Sequence, residues 1–416
     1  MRRARMIFGA VAAASLISAC SAILGIGDDV FTYAPDEAGA EAAPDTRVPD
    51  APPGPDNCEH AFPPPPPASE LTSQAFPTMV FAFKNLDLTG VRDGGAPVGF
   101  DLDGVCTCDP SDHSETAGGP TCLTDGATAD GGTACDEDGG RDNAFNILFT
   151  ENAFLGTLKQ TGDLVDQIRC GRTGMLVFLG GYNGEADDTN VGVSFAPSLG
   201  IREPHFVGEI NDPLCQLGDG DIPTYPAYFD ASDSWSTLDG SIDEATGLPP
   251  LGNALKGYVT GWQLVADGRN STQRMIVSVG GISIAFTTPV LTARIVPLDA
   301  GTNPPVFALA DGVMSGRIDG RDLLAFAATA PIREPGRTFS HLCEPKWAQV
   351  YPFIKGTLCG ALDIRSSRSD DKKGLPCNAL SFTAQFEAVP ATKSEISADP
   401  LDRGCDGGFS DSCDSD

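Results

Sequence analysis

The chain of 416 residues is short of basic side chains, and shorter still of histidine and tryptophan. It has 27 Lys and Arg against 57 Asp and Glu, a formal net charge of −30. Nucleic acid is held by clustered Lys and Arg, so this balance excludes a nucleic-acid binder. Histidine occurs four times, at His60, His113, His205 and His341, and the surrounding residues compose no triad. There is no Gly-x-Ser-x-Gly elbow, no His-Glu-x-x-His and no phosphate-cradling glycine loop. Paired carboxylates would suit a glycosidase, yet 57 acidic residues single out no pair. No apolar run reaches the roughly 18–20 residues that span a bilayer as a helix. These absences predict a protein that is not an enzyme.

What is abundant points to export. Thirteen cysteines, 48 glycines and 33 prolines describe a loop-rich, cross-linked protein of an oxidising compartment, and a hydrophobic content of 41% is enough for a packed core. The N-terminus has basic Arg2, Arg3 and Arg5, an apolar run from Met6 to Ile17, then Ser18-Ala19-Cys20. This is the layout of an export signal. Ile17-Ser18-Ala19-Cys20 resembles the bacterial lipobox. That resemblance implies that residues 1–19 are a lipoprotein signal peptide and that Cys20 carries a thioether-linked diacylglycerol and an acylated amine. Several acyl chains on one residue meet the requirement for stable anchoring. Ser21, where Asp would imply retention at the inner membrane, implies lipid anchoring to the outer membrane of a bacterial envelope. The bland alternative is a secreted protein whose Cys20 falls near the cut. Setting Cys20 aside leaves twelve cysteines, an even number suited to disulfides.

Composition then divides the chain. Residues 20–67 form a tether: residues 34–67 hold eleven prolines and seven acidic residues, with Arg47 alone basic. Residues 68–100 supply the first strands, among them Met79-Val80-Phe81-Ala82-Phe83. Residues 101–143 hold nine Asp, two Glu, eight Gly and four Cys, and too few apolar residues for a core of their own. Residues 144–398 read as a helix followed by a mainly β core. The helical stretch runs from Asn143 to Cys170, with Asp142 or Asn143 suited to its N-cap. The clearest hairpin spans Arg274 to Phe286 around Gly280-Gly281. A helix is expected after Asp319-Gly320 and a last strand over Leu380–Val389. Residues 399–416 are an acidic tail. Charge follows the same divisions: residues 20–143 have 4 basic and 23 acidic residues, whereas residues 255–398 have 15 and 12. The expected fold is mainly β, an antiparallel β-sandwich or jelly-roll-like ectodomain with a few helices and disulfide-stapled acidic loops.

The acidic segment carries the strongest chemical lead. Asp101, Asp103, Asp136, Asp138, Asp142 and Asn143 alternate oxygen donors with glycine turns, which suits the six to eight oxygens that calcium takes. The pattern resembles fragments of thrombospondin type 3 calcium repeats, over about a tenth of the chain. No Glu stands at the twelfth position of an EF-hand loop. A solvated acidic loop stapled by cysteines is the alternative. The disulfide candidates are Cys58, Cys106, Cys108, Cys122, Cys135, Cys170, Cys215, Cys343, Cys359, Cys377, Cys405 and Cys413. Local clustering predicts pairing within 106–135, within 343–377, and of Cys405 with Cys413. Cys106-Thr107-Cys108 is too tightly spaced for the usual zinc pair, and no histidine cluster accompanies it. Tyr182-Asn183-Gly184 with Asp187-Asp188 would suit a binding rim. Trp235, Trp262 and Trp347 would suit sugar stacking if exposed, and core packing if not.

Phe100-Asp-Leu-Asp-Gly104, Cys359-Gly-Ala-Leu-Asp-Ile364 and Cys377-Asn-Ala-Leu-Ser-Phe382 resemble segments of uncharacterised, Cys-rich lipoproteins common in myxobacterial-type genomes. That resemblance implies no established activity. The expectation is an outer-membrane-anchored lipoprotein with a structural, adhesive or ligand-binding ectodomain and a carbohydrate or protein ligand. Calcium is its one candidate cofactor. A lectin-like carbohydrate-binding sandwich is the alternative, and a secreted glycoside hydrolase a weaker one.

Overall fold

The computed structural model describes residues 59–69, 74–88, 90, 97–107, 121–123, 136–151, 161–201, 227–250, 254–279, 282–299, 305–329, 331–332, 340–371, 374–397 and 411–413. The stretches read from sequence as a signal peptide (1–19), the lipidated Cys20 and a tether lie outside the described residues up to residue 58, as do most of the acidic tail and Cys58, Cys108, Cys135, Cys215 and Cys405. No described helix is long and apolar enough to cross a membrane.

The protein is mainly antiparallel β with few helices, as its alternating patterns imply. Eight strands follow one another around a ring: β1 (Met79–Asp87), β2 (Gly174–Gly180), β3 (Asp188–Ser198), β5 (Leu255–Thr260), β6 (Gln263–Asp267), β8 (Ile282–Asp299), β9 (Val306–Asp319) and β12 (Ala379–Pro390). Each pairs antiparallel with the next, and β12 returns to pair with β1. The two layers expected of a sandwich are therefore opposite walls of one sheet that closes on itself. Closure removes the free edges an open sheet would present. The 18-residue β8 makes this possible. One of its edges pairs with β7 (Arg274–Val279) over Ile282–Thr287, then with β6 over Val290–Arg294. The hairpin read around Gly280-Gly281 is the β7–β8 pair, with Val279 opposite Ile282 and Met275 opposite Phe286.

Burial explains which runs look alternating and which look solid. In β2, Met175, Val177 and Leu179 face the interior, while Leu176 and Phe178 face outward. The outer side is covered by Trp235 and Ile242 and by a two-stranded parallel sheet of β4 (Ser234–Leu238) and β13 (Thr392–Ser397). A strand covered on both faces reads as a continuous apolar run. The interior is filled by side chains. Phe83 stacks on Phe386 with ring centroids 4.8 Å apart, and Phe382 meets Phe286 at 4.8 Å and Phe145 at 4.7 Å. Gly312 is required where the wall meets this packing, because a Cβ there would lie 2.6 Å from the Phe386 ring.

The helices pack against the sheet, and Phe145, Ile168, Leu324 and Leu358 from them belong to the same buried cluster as the inward strand positions. The expected helical stretch holds α1 (Ala144–Glu151) and α2 (Thr161–Arg169), and α3 (Gly320–Thr329) follows Asp319 as its pattern implies. A fourth helix, α4 (Tyr351–Gly360), had no clear sequence signal. Two short strands, β10 (Pro331–Ile332) and β11 (Ser340–His341), form a small ladder of their own.

The proline-rich segment does not remain a free tether to residue 67. Ala61 donates its N–H to the Gly139 carbonyl and accepts from the Asp101 N–H. Arg269 sits 4.6 Å over the Phe62 ring, and the Tyr258 hydroxyl donates to the Pro64 carbonyl at 2.5 Å. Residues 59–67 are thus laid against the acidic segment and the β5–β6 wall. Proline lowers the entropy lost on docking such a strand-like piece. The boundary of any tether shifts to residue 58 or before.

Candidate metal centre

The acidic segment caps the outer face of β8, β9 and β12. On that face the outward positions are Val290, Val313, Ser315, Arg317, Ala379, Ser381 and Thr383, all buried. Val98, Phe100 and Leu102 cover the apolar members together with Ile364. The polar members hold the segment by hydrogen bonds. The Ser381 hydroxyl accepts from the Ala144 N–H at 2.8 Å, and the Thr383 N–H donates to Asn143 Oδ1 at 3.2 Å. Arg317 is fully buried. Its guanidinium makes a two-pronged pair with Asp371 at 2.8 and 2.9 Å and donates to the carbonyls of Leu102 and Arg365 at 2.6 and 2.8 Å. One buried cation therefore fastens the acidic segment and the loop after α4 to the barrel wall.

Above it, carboxyl groups gather. One oxygen each from Asp101, Asp103 and Asp142 lies within 4.8 Å of the others, and all three residues are buried. Two oxygens bound to one calcium at about 2.3–2.6 Å are separated by no more than about 5 Å, so this spacing fits a shared ion. Asp136 and Asp363 are half-buried beside them. Backbone amides orient the set: Leu102 N–H to Asp142 at 2.6 Å, Gly104 N–H to Asp101 at 2.5 Å, Val105 N–H to Asp103 at 2.9 Å and Thr107 N–H to Asp136 at 2.7 Å. The Thr121 hydroxyl donates to Asp103 at 2.5 Å, and Ser381 holds Asp363 through its N–H and hydroxyl at 2.8 and 2.6 Å.

Charge is poorly balanced here. Burial raises the Asp101 carboxyl despite help from the Gly104 amide, His60 and Arg368. Burial pushes Asp103 up to about 6, with the Asp101 charge adding to it. Asp363 is pushed up to about 7, again chiefly by burial. Asp136 and Asp142 stand well above the carboxylate range, first through burial and then through repulsion from the neighbouring carboxylates. Such a group is neutral by protonation or is compensated by a cation.

The structure brings together part of the set expected from the sequence. Asp101, Asp103 and Asp142 meet, and Asp136 joins them. Asp138 is exposed and outside the cluster. Asn143 is buried, but its side-chain oxygen serves Thr383 and its amide nitrogen lies against Gly90. Neither Asp142 nor Asn143 caps α1 with its side chain in the contacts observed. Asp363 arrives from a distant part of the chain, and no acidic repeat marks it. His60 Nδ1 pairs with Asp101 Oδ2 and approaches the Cys106 sulfur at 3.9 Å. Cys106 is disulfide-bonded, so that trio offers no thiolate for zinc.

All seven described cysteines are disulfide-bonded. Cys122 bonds Cys377 across 255 residues, and Cys359 bonds Cys413. The local pairings expected for these four are overturned, because closing the barrel brings the start of β12 beneath the acidic segment. Cys106, Cys170 and Cys343 are disulfide-bonded as well.

The other candidate surfaces are spent on structure. Asp188 accepts from the Asn183 and Asn190 N–H groups, and Asp187 accepts from the Gly261 N–H, so the Tyr182–Asp188 loop is internally bonded. Trp235 is fully buried, and Trp262 and Trp347 are half-buried against the core. Trp235 therefore offers no open face for a sugar ring. Comparison with protein families, with characterised proteins and with solved structures returns no match to this chain.

Proposed function

We propose that this chain is a lipid-anchored protein of the bacterial outer membrane, with a β-barrel ectodomain that serves a structural or ligand-binding role and is stiffened by calcium. In this reading lipid on Cys20 holds the protein to the membrane. Asp101, Asp103 and Asp142 hold the ion, with Asp136 and Asp363 beside them. Calcium supplies the positive charge that five enclosed carboxyls require. Its effect is mechanical, because those carboxyls belong both to the acidic cap and to the loop leading into β12. The observation that carries the reading is the convergence of three buried carboxylates within one ion's reach. The absence of a catalytic constellation in the sequence supports a non-enzymatic role.

Titration calorimetry of chelator-stripped protein tests the calcium. One ion is expected to bind per chain, and Asp142→Asn is expected to weaken it at least 100-fold while magnesium binds poorly. No heat and no gain in melting temperature at millimolar calcium would leave the solvated-loop account in place.

A further inference from the structure

Residues 59–67 form a strap that touches both the acidic cap and the barrel wall. Its first contacts are with the cap. His60 Nδ1 pairs with Asp101 Oδ2, while the other Asp101 oxygen accepts the Gly104 N–H at 2.5 Å. An ionised carboxylate only accepts, so the proton of the first pair sits on Nδ1. One residue on, the Ala61 N–H donates to the Gly139 carbonyl at 2.8 Å, and the Ala61 carbonyl accepts the Asp101 N–H at 3.1 Å. Gly139 has a left-handed φ of 79°, and a Cβ there would lie 3.0 Å from the Glu59 carbonyl oxygen. Glycine is what lets the strap come this close.

The later contacts are with the β5–β6 wall. The His60 and Phe62 rings stack with centroids 5.1 Å apart and planes 3° apart. The Arg269 guanidinium lies 4.6 Å from the centre of the Phe62 ring and is itself held by Asp267, the last residue of β6, at 2.8 and 3.0 Å. On β5, the Tyr258 hydroxyl donates to the Pro64 carbonyl at 2.5 Å. An unbroken run of contacts therefore leads from Asp101 through His60, Phe62 and Arg269 to the barrel wall.

Asp101 belongs to both arrangements. It offers an oxygen to the carboxylate cluster, an oxygen to His60 and its N–H to Ala61. A bound cation keeps that carboxylate ionised and fixed, and an ionised, fixed carboxylate is the stronger partner for a ring N–H. The ion also ties Asp101 to Asp142, three residues after Gly139, and so sets both backbone partners of Ala61. Order supplied at one place need not be supplied again at the other.

On the calcium reading given above, we propose that the ion latches the strap. Calcium at Asp101, Asp103 and Asp142 tightens residues 59–67 against the cap and wall, and the docked strap tightens calcium by the same factor, because such coupling is reciprocal. The strap lies on the path from Cys20 to β1, so the ion also sets how much of the tether is free. Release frees nine residues, up to about 28 Å of extended chain at about 3.1 Å each.

The test is amide exchange and calcium titration on the full chain, as wild type and as a Phe62→Ala, Tyr258→Phe double variant. Neither substitution touches a carboxylate of the cluster. Phe62 is 45% exposed and Tyr258→Phe keeps its ring, so the barrel should stay folded. In the wild type, calcium is expected to slow exchange of the Ala61 amide at least 10-fold. The double variant is expected to bind calcium more weakly by about the same factor. Ala61 exchange indifferent to calcium, or wild-type calcium affinity in the double variant, would each overturn the latch and leave the ion site standing. No calcium binding by the wild type would remove the ion site and the latch with it.

Discussion

If the buried carboxyls hold calcium as proposed, stripping it should reverse the usual relation between pH and stability. The perturbation is a pH series from 4 to 8 on chelator-treated protein, beside the same series in excess calcium. A carboxyl whose pKa is higher folded than unfolded binds more protons when folded. Its contribution is complete below the unfolded value, near 4, and disappears as the pH rises through the folded value. For Asp103 that interval ends at about 6 and for Asp363 at about 7. At about 1.4 kcal/mol per unit, the losses are about 3 and 4 kcal/mol. The two groups share their repulsion, so a joint loss on the order of 5 kcal/mol is the better figure. Burial opposes ionisation of Asp267 as well, but Arg269 overcomes it and holds that carboxyl low. What Asp267 contributes is therefore lost only below pH ~4, outside the interval. Against a typical total of about 5–15 kcal/mol, the stripped protein would be marginal at neutral pH. Urea unfolding followed by tryptophan fluorescence reads this directly, because Trp235 is fully buried. The midpoint should fall between pH 4.5 and 7.5 without calcium and stay level or rise with it. A midpoint that rises with pH in the stripped protein would refute the electrostatic reasoning.

Removing the buried cation beneath the acidic cap should also be strongly destabilising. Arg317→Met strands buried Asp371 and two carbonyls, an expected loss of about 3–5 kcal/mol in urea unfolding, and Asp371→Leu added to it should restore part of that loss. Intact stability in Arg317→Met would contradict the buried pair. Phe382→Ala empties the contact between two other aromatic rings inside the barrel and should cost about 3–5 kcal/mol, with an unchanged value arguing against a filled interior. Cys20→Ala should release the protein from membranes or leave the precursor uncut, and unchanged membrane recovery and size would exclude the lipobox.

The strands were legible because their signals are local. Met275, Val277 and Val279 alternate on one side of Gly280-Gly281 and Ile282, Ile284 and Phe286 on the other, and the register found is the one that alternation demands. The start of α3 after Asp319 was legible for the same reason. The carboxylates Asp101, Asp103, Asp136 and Asp142 were legible as a group because they crowd one acidic stretch. Asp138 and Asn143 could not be told from them by spacing, since the difference is the direction each side chain takes once the segment docks. α4 was obscure because Gly356 and Gly360 weaken its helical pattern.

The sequence by itself determined the mainly antiparallel β character, the richness in cysteine and the place of the excess acid. Each is a matter of composition or short-range periodicity. Only the tertiary structure decided that β12 closes the ring onto β1, that Cys122 meets Cys377 and that Asp363 joins carboxyls more than 200 residues away. It also decided that Arg317 is sealed beneath them. Burial and charge balance belong to a residue's neighbours in space, and in a closed barrel those neighbours come from the opposite end of the chain.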